Sequence, residues 1–170
     1  MAKGKPDFML RFIWISVAIL VADQVSKWVA NSSLVLHTPV PVLPGYFDFM
    51  LAYNTGAAFS FLSQAGGWQR WFFSLLALGV SIAIVIWIKR LPTSEKLTAV
   101  SLSLILGGAV GNLIDRLLFG HVIDFIQVYF GSYAYPAFNI ADSAISVGAV
   151  LLIVQALFAK PEEASHGSGK

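Results

Sequence analysis

Four long apolar segments dominate this sequence and constrain its fold more than any other feature. They lie at about 12–30, 70–88, 97–118 and 139–159, and a helix needs about 20 mostly apolar residues to cross a bilayer. Only 12% of the 170 residues are charged, whereas about 25% are charged in a soluble domain. We therefore predict an all-α membrane protein with a small β element, and not a soluble enzyme or a disordered chain.

Composition excludes several kinds of functional site. The chain has no cysteine, so it has no disulfide, thiol nucleophile or cysteine-bound metal. Its three histidines, His37, His121 and His166, are scattered and form no metal-binding motif. A formal net charge of +2 is too small to suggest nucleic-acid binding. We predict no metal, no other cofactor and no nucleic-acid partner.

Lysine and arginine are distributed unevenly along the chain, which predicts the orientation in the membrane. The segments 32–67 and 119–138 contain neither residue type, and segments poor in lysine and arginine tend to face away from the cytoplasm. If the four helices alternate in direction, both termini are cytoplasmic and these two segments lie on the outer, periplasmic face. The basic residues then on the cytoplasmic side are Lys3, Lys5, Arg11, Lys89, Arg90, Lys96, Lys160 and Lys170.

The two outer segments have compositions that indicate structure rather than flexible linkers. Residues 47–62 are rich in aromatic and β-prone types, and Asn-Thr-Gly at 54–56 is typical of a turn, so we predict a small antiparallel sheet there. Residues 121–137 are rich in Tyr and Phe, as interfacial segments are, and either helix or strand fits them. We predict one domain over 1–160, followed by a disordered tail over 161–170.

Polar residues converge at the outer ends of the predicted helices. A helix rises about 1.5 Å per residue, so position in the sequence gives depth in the membrane. Charged groups within a bilayer are costly, and they suggest a functional site by default. The converging residues include Asp23, Lys27, Asn112, Asp115, Arg116, Asp124, Asn139 and Asp142.

Some of these residues are spaced for ion pairing. Asp23 and Lys27 stand four positions apart, so they share one face of a helix and can pair. Asp115 adjoins Arg116, and Asn112 lies four positions before that arginine. We interpret both groups as structural ion pairs.

Asp124 and Asp142 have no lysine or arginine within four positions. Two close carboxyl groups can share one proton, so that one activates water as a general base while the other donates a hydrogen bond to a carbonyl. Two other interpretations remain open. Asp142 fits the acid of a capping box whose N-cap is Asn139, and Asp124 fits an ordinary exposed loop acid.

Five strings in the sequence form a specific combination. They are D-Q-V-S-K at 23–27, A-Y-N-T-G-A-A-F-S at 52–60, G-G-A-V-G-N-L-I-D-R at 107–116, V-I-D-F at 122–125 and F-N-I-A-D-S at 138–143. In order and spacing they resemble the bacterial lipoprotein signal peptidase (signal peptidase II) family, and the likeness covers about 10–160. This resemblance implies an aspartic peptidase of the cytoplasmic membrane, with four transmembrane helices and an outer β element.

The resemblance implies a function and a role for each site residue. It implies cleavage of the signal peptide from prolipoproteins, just before a cysteine that carries diacylglycerol, by the catalytic residues Asp124 and Asp142. The protein would then contact membrane lipid and this substrate, and we expect a monomer in the bacterial inner membrane. The supporting or substrate-positioning residues would be Asn54, Gly56, Asn112, Arg116, Asn139, Asp23, Lys27 and Asp115.

A small proton- or ion-coupled transporter is the alternative function, since intramembrane acids also serve transport. A transporter usually has polar groups across the whole depth of the bilayer. The inner halves of these four segments lack acids, which favours an enzyme open to one side of the membrane.

Overall fold

The computed structural model describes residues 9–56 and 67–158, and four long helices account for most of them. A 3₁₀ turn at Met9–Phe12 leads into the first helix. All four helices are long and apolar enough to cross a membrane, and each predicted boundary lies within three residues of the observed one. The helices are α1 (Ile13–Ser33), α2 (Trp68–Arg90), α3 (Lys96–Phe119) and α4 (Ile140–Phe158).

Helix α3 is the centre of the bundle. Of its apolar stretch, 61% is buried within the protein. The corresponding share is 17% for the stretch that includes α1, 22% for α2 and 17% for α4. Glycines allow the neighbouring helices to approach, as in other membrane bundles. A Cβ at Gly107 would lie 2.8 Å from the Ser16 carbonyl oxygen of α1, and one at Gly148 of α4 would lie 2.6 Å from the Ser101 carbonyl oxygen.

The outward faces of the other three helices are apolar and exposed. Trp14 on α1, Trp71 on α2 and Leu157 on α4 are 74%, 58% and 75% exposed. Large exposed apolar surfaces of this kind are unusual in soluble monomers, and they match a lipid environment.

An apolar cluster closes the end of the bundle that holds the α2–α3 connection. It joins the start of the first helical stretch to α2 and α3, and every member is at most 6% exposed. Its members are Met9, Ile84, Ile88, Ala99, Leu102 and Leu106.

A four-stranded antiparallel sheet lies at the opposite end of the bundle. Its strands follow the order β1 (Val40–Leu43), β2 (Phe47–Asn54), β3 (Val122–Phe130) and β4 (Tyr133–Ala134). The first two strands connect α1 to α2, and the last two connect α3 to α4. The sheet therefore joins both connections at one end of the helices.

The sheet confirms one prediction and resolves an ambiguity. The predicted antiparallel sheet is present, and residues 121–137, for which helix and strand were both open, contribute β3 and β4. Pairing between β2 and β3 supplies hydrogen-bond partners for their backbone groups. The predicted disordered tail over 161–170 lies outside the described residues.

Candidate functional site

Asp124 and Asp142 come together where the sheet meets the start of α4. Asp124 lies in β3 opposite Ala52 of β2, and it is 1% exposed. It is therefore not an ordinary exposed loop acid. The backbone of Phe138 exchanges hydrogen bonds with Ile126 of β3. This contact places the start of α4, with Asp142 in its first turn, beside the strand that carries Asp124.

Asn139 connects the two aspartates. Its Oδ1 accepts the backbone N–H of Asp142 at 2.9 Å, as an N-cap residue does, so the predicted cap is confirmed. Its Nδ2 donates to Asp124 Oδ1 at 2.7 Å. Because the cap occupies the amide oxygen, the amide nitrogen faces the carboxylate. Asn139 is fully buried.

Asn112 of α3 holds the Asp142 side chain in a similar way. Its Nδ2 donates to Asp142 Oδ1 at 2.7 Å. Its Oδ1 accepts from Lys27 Nζ at 3.0 Å and from Asn139 Nδ2 at 3.2 Å. A lysine ammonium can only donate, so Lys27 determines which end of the amide faces Asp142.

Lys27 forms two buried ion pairs. Its Nζ lies 2.8 Å from Asp23 Oδ2 and 2.8 Å from Asp115 Oδ2, and the three side chains are at most 2% exposed. The predicted pairing of Asp23 with Lys27 is confirmed. The predicted pairing of Asp115 with Arg116 is wrong, because adjacent residues on a helix point in different directions, and Asp115 faces α1.

Arg116 takes a different position from the one expected. Its Nη1 donates to the carbonyl oxygen of Asn112 at 3.2 Å, and its guanidinium carbon lies 5.5 Å from the centre of the Phe73 ring. Arg116 therefore joins α2 to α3 at the edge of the site, and its positive charge acts on the nearby carboxylates of Asp142, Asp115 and Asp124 without a direct ion pair to any of them.

Asn54 and Gly56 form the turn predicted after β2. The Gly56 N–H donates to Asn54 Oδ1 at 2.9 Å, and Gly56 has a positive φ of +101°, which glycine adopts without strain. A Cβ at Gly56 would also lie 2.7 Å from a ring carbon of Phe73. The turn leaves Asn54 Nδ2 free to donate to Asp124 Oδ2 at 3.1 Å. Both oxygens of Asp124 thus accept an amide N–H.

Burial makes the carboxyl group of Asp124 an unusually weak acid. Loss of hydration, together with the nearby negative charge of Asp142, raises the pKa of its carboxyl group to about 7. The amides of Asn54 and Asn139 and the positive charge of Lys27 oppose this shift. Burial lowers the pKa of His121, whose ring lies 4.2 Å from the ring of Tyr53, and His121 is therefore neutral near pH 7.

Gln24 also belongs to the site, although no spacing or charge pattern in the sequence marks it as a site residue. Its Nε2 lies within hydrogen-bond distance of Asp115 Oδ1 (2.9 Å), Asp23 Oδ2 (3.2 Å) and the Gly111 carbonyl oxygen (3.2 Å). Its position between Asp23 and Lys27 in the sequence was the available signal.

The resulting geometry permits acid–base chemistry beside an open cleft. A cleft of about 320 Å³ adjoins Asp142 and is lined also by Tyr135, Phe138, Ser143 and Val147. Within residues 9–56 and 67–158, no three His, Asp or Glu side chains are grouped to hold a metal ion. The two carboxyl groups are linked through the hydrogen-bonded amides of Asn139 and Asn112. With a pKa of about 7 for Asp124, they can exchange protons with a bound molecule and with water.

Comparison with known proteins gives consistent results. The family described as signal peptidase (SPase) II matches residues 15–158. A lipoprotein signal peptidase of Ectopseudomonas mendocina is 54% identical over 144 residues, which are 84% of this chain and 85% of the relative. A lipoprotein signal peptidase of Pseudomonas aeruginosa is 50% identical over 160 residues, which are 93% of this chain and 95% of the relative.

Solved structures of bacterial membrane enzymes share the fold. One superposes with a TM-score of 0.79 at 33% identity, covering 88% of this chain and 89% of the other. A second has a TM-score of 0.79 at 32% identity, covering 90% of this chain and 96% of the other.

Proposed function

The chain belongs to the signal peptidase II family, and on that basis we propose that it is a membrane-embedded aspartic endopeptidase of lipoprotein processing. Its substrate is a prolipoprotein whose cysteine carries diacylglycerol, and it removes the signal peptide just before that cysteine. Asp124 and Asp142 are the catalytic residues. The family consists of peptidases, so nothing further favours the transporter alternative.

One observation carries this assignment. Besides Asp48 of β2, four aspartates lie at the sheet end of the helices, and Lys27 forms ion pairs with two of them, Asp23 and Asp115, at 2.8 Å each. Asp124 and Asp142 instead bind neutral amides of Asn54, Asn112 and Asn139. A carboxyl group bound only by neutral amides can still gain or lose a proton. A close ion pair with a cation instead holds a carboxyl group in its ionised form.

The roles of the two acids differ in the proposed reaction. Asp124 has a pKa of about 7, so it carries the shared proton near neutral pH and donates it to the scissile carbonyl oxygen. Asp142 lies in the first turn of α4, where the helix N-terminus favours negative charge, and it takes a proton from water. The remaining hydroxide adds to the carbonyl carbon.

Breakdown of the tetrahedral intermediate completes the reaction. One hydroxyl group of the intermediate returns its proton to Asp124 as the carbonyl re-forms. Asp142 gives its proton to the leaving nitrogen while the C–N bond breaks. The products are the signal peptide with a new carboxyl group and the lipoprotein with a free amino group on its cysteine, and both aspartates regain their starting states.

The proposed orientation places this reaction at the outer face of the inner membrane, with both termini in the cytoplasm. In the described residues Arg11, Lys89, Arg90 and Lys96 lie at the end of the bundle opposite the sheet, as the positive-inside rule requires. The cleft beside Asp142 contains Tyr135 and Phe138, aromatic residues typical of the membrane–water boundary, where a lipid-modified cysteine would lie.

Incubation of the purified protein with a prolipoprotein tests the substrate assignment. We expect mass analysis to find cleavage directly before the lipid-modified cysteine. The matched control is the same prolipoprotein without its diacylglyceryl group, which should be cleaved far more slowly. Equal cleavage of both forms would contradict the proposed lipid requirement, and no cleavage of either would contradict the proposed function.

A further inference from the structure

Two carboxylates hold the backbone immediately before the proposed catalytic residues. Asp115 Oδ2 accepts the backbone N–H of Ile123 at 3.1 Å, and Ile123 directly precedes the catalytic aspartate of β3. Asp23 Oδ1 accepts the backbone N–H of Ala141 at 2.9 Å, and Ala141 directly precedes the catalytic aspartate of α4. Each catalytic residue is thus fixed through its neighbouring peptide group by an aspartate from a different helix.

One lysine links these two carboxylates. Lys27 Nζ lies 2.8 Å from Asp23 Oδ2 and 2.8 Å from Asp115 Oδ2. The same nitrogen donates to Asn112 Oδ1 at 3.0 Å, and the Asn112 amide donates in turn to Asp142. A charge that is only 2% exposed cannot exchange these partners for water, so the three contacts act as one rigid unit.

We propose that Lys27 is a positioning residue that sets the spacing between Asp124 and Asp142 by holding Asp23 and Asp115 together. The proposal rests on the function proposed above. It assigns Lys27 an effect on the chemical step, and not only on folding or on substrate binding. A displacement of about 1 Å in a reacting group can reduce a rate on the order of 10²-fold.

Gly111 offers a way to disturb this arrangement without removing a charge. A Cβ at Gly111 would lie 2.6 Å from Asp23 Oδ2, so alanine must displace that carboxylate from its contacts with Lys27 and Ala141. Alanine also has a higher helix propensity than glycine, so the substitution does not weaken α3 itself. Gly79 of α2 is the matched control, because a Cβ there meets nothing within 4 Å.

The test compares Lys27→Met, Gly111→Ala and Gly79→Ala with the wild-type protein. The measured quantity is the single-turnover rate constant with enzyme in saturating excess, because an unfolded fraction lowers the amplitude of that reaction but not its rate constant. We expect Lys27→Met and Gly111→Ala each to reduce the rate constant by about 10-fold to 10²-fold, with substrate affinity unchanged within about threefold. Gly79→Ala should match the wild type.

Two results would overturn the proposal, and they differ from failure of the proposed function. The first result is a wild-type rate constant for Gly111→Ala and for folded Lys27→Met, while Asp124→Asn and Asp142→Asn are inactive. It would show that Lys27 only stabilises the fold. A loss confined to affinity would assign it to substrate binding. If Lys27→Met does not fold, the rate constant of Gly111→Ala decides. Full activity of both aspartate variants would instead overturn the proposed function itself.

Discussion

Asn139 Nδ2 lies 2.7 Å from Asp124 Oδ1, while Asn139 Oδ1 accepts the backbone N–H of Asp142. One amide therefore caps helix α4 and binds a carboxylate of the sheet at the same time. The helix cap and the proposed catalytic pair cannot move independently.

Serine and alanine at position 139 should separate these two roles. A serine hydroxyl can still cap the helix, whereas alanine costs about 1 kcal/mol of cap energy. Neither side chain can give Asp124 the amide N–H. We expect both Asn139→Ser and Asn139→Ala to lose most cleavage activity, with the serine variant melting at the higher temperature in detergent. An active serine variant would show that only the cap is needed.

Cleavage should slow as the pH rises above about 7. Burial and the Asp142 charge raise the pKa of Asp124 to about 7, so its protonated form is lost at higher pH, and the proposed reaction uses that form. Single-turnover rates measured between about pH 5 and pH 9 give the plot of rate against pH, in which the decrease above pH 7 is the falling limb. His121→Phe is the control, because an unchanged limb excludes titration of that histidine. A rate that stays constant up to pH 9 would contradict the assigned proton.

The same carboxyl group should make stability depend on pH. Between its ordinary pKa of 3.8 and about 7, Asp124 is protonated in the folded protein and ionised in the unfolded one, so the free energy of unfolding falls as pH rises. Asparagine cannot titrate. We therefore expect Asp124→Asn to gain stability relative to the wild type between about pH 4 and pH 7, by at most about 4 kcal/mol, and to gain no more above that range.

Thermal melts of both proteins in one detergent measure this difference. Groups that do not interact with position 124 contribute equally to both proteins, so the difference isolates Asp124 and its interaction with Asp142. Asp48→Asn is a matched control, since Asp48 is buried in the same sheet and accepts the Tyr129 hydroxyl at 2.8 Å. A stability gain that does not change with pH would mean that Asp124 stays ionised throughout the range.

Single cysteines test the proposed orientation, because the natural chain has none. Ser132 follows β3 at the sheet end of the bundle, and Ser94 lies in the α2–α3 connection; both are exposed. In intact spheroplasts, a membrane-impermeant thiol reagent should label Ser132→Cys and spare Ser94→Cys. Lysed cells should label both. The reverse pattern in intact spheroplasts would place the sheet in the cytoplasm.

Local rules predicted the features that depend on short spacing. The four helices follow from the length of their apolar segments, the Asp23–Lys27 pair from a spacing of four residues, and the Asn139 cap from its place before α4. The acids without a local basic partner were also identified from the sequence. Their assignment as a catalytic pair came from the family resemblance and not from physical reasoning alone.

Contacts between distant elements could not be predicted in this way. Asp115 pairs with Lys27 of another helix instead of its neighbour Arg116, because helix packing selects the partner. The role of Gln24 depends on the same packing. Residues 122–130 form strand β3 because β2 pairs with it, whereas the composition of 121–137 fits a helix equally well.

Replacement of the two aspartates is the most direct test of the account. Asparagine has nearly the same shape but cannot act as a carboxylate base or acid. We expect Asp124→Asn and Asp142→Asn each to reduce the cleavage rate of lipid-modified prolipoprotein by at least about 10²-fold, while the folded proteins still bind it. The double variant should be little worse, since members of one catalytic unit are not additive. Asp48→Asn should cleave normally, and near-normal cleavage by either single-site variant would contradict the proposed catalytic pair.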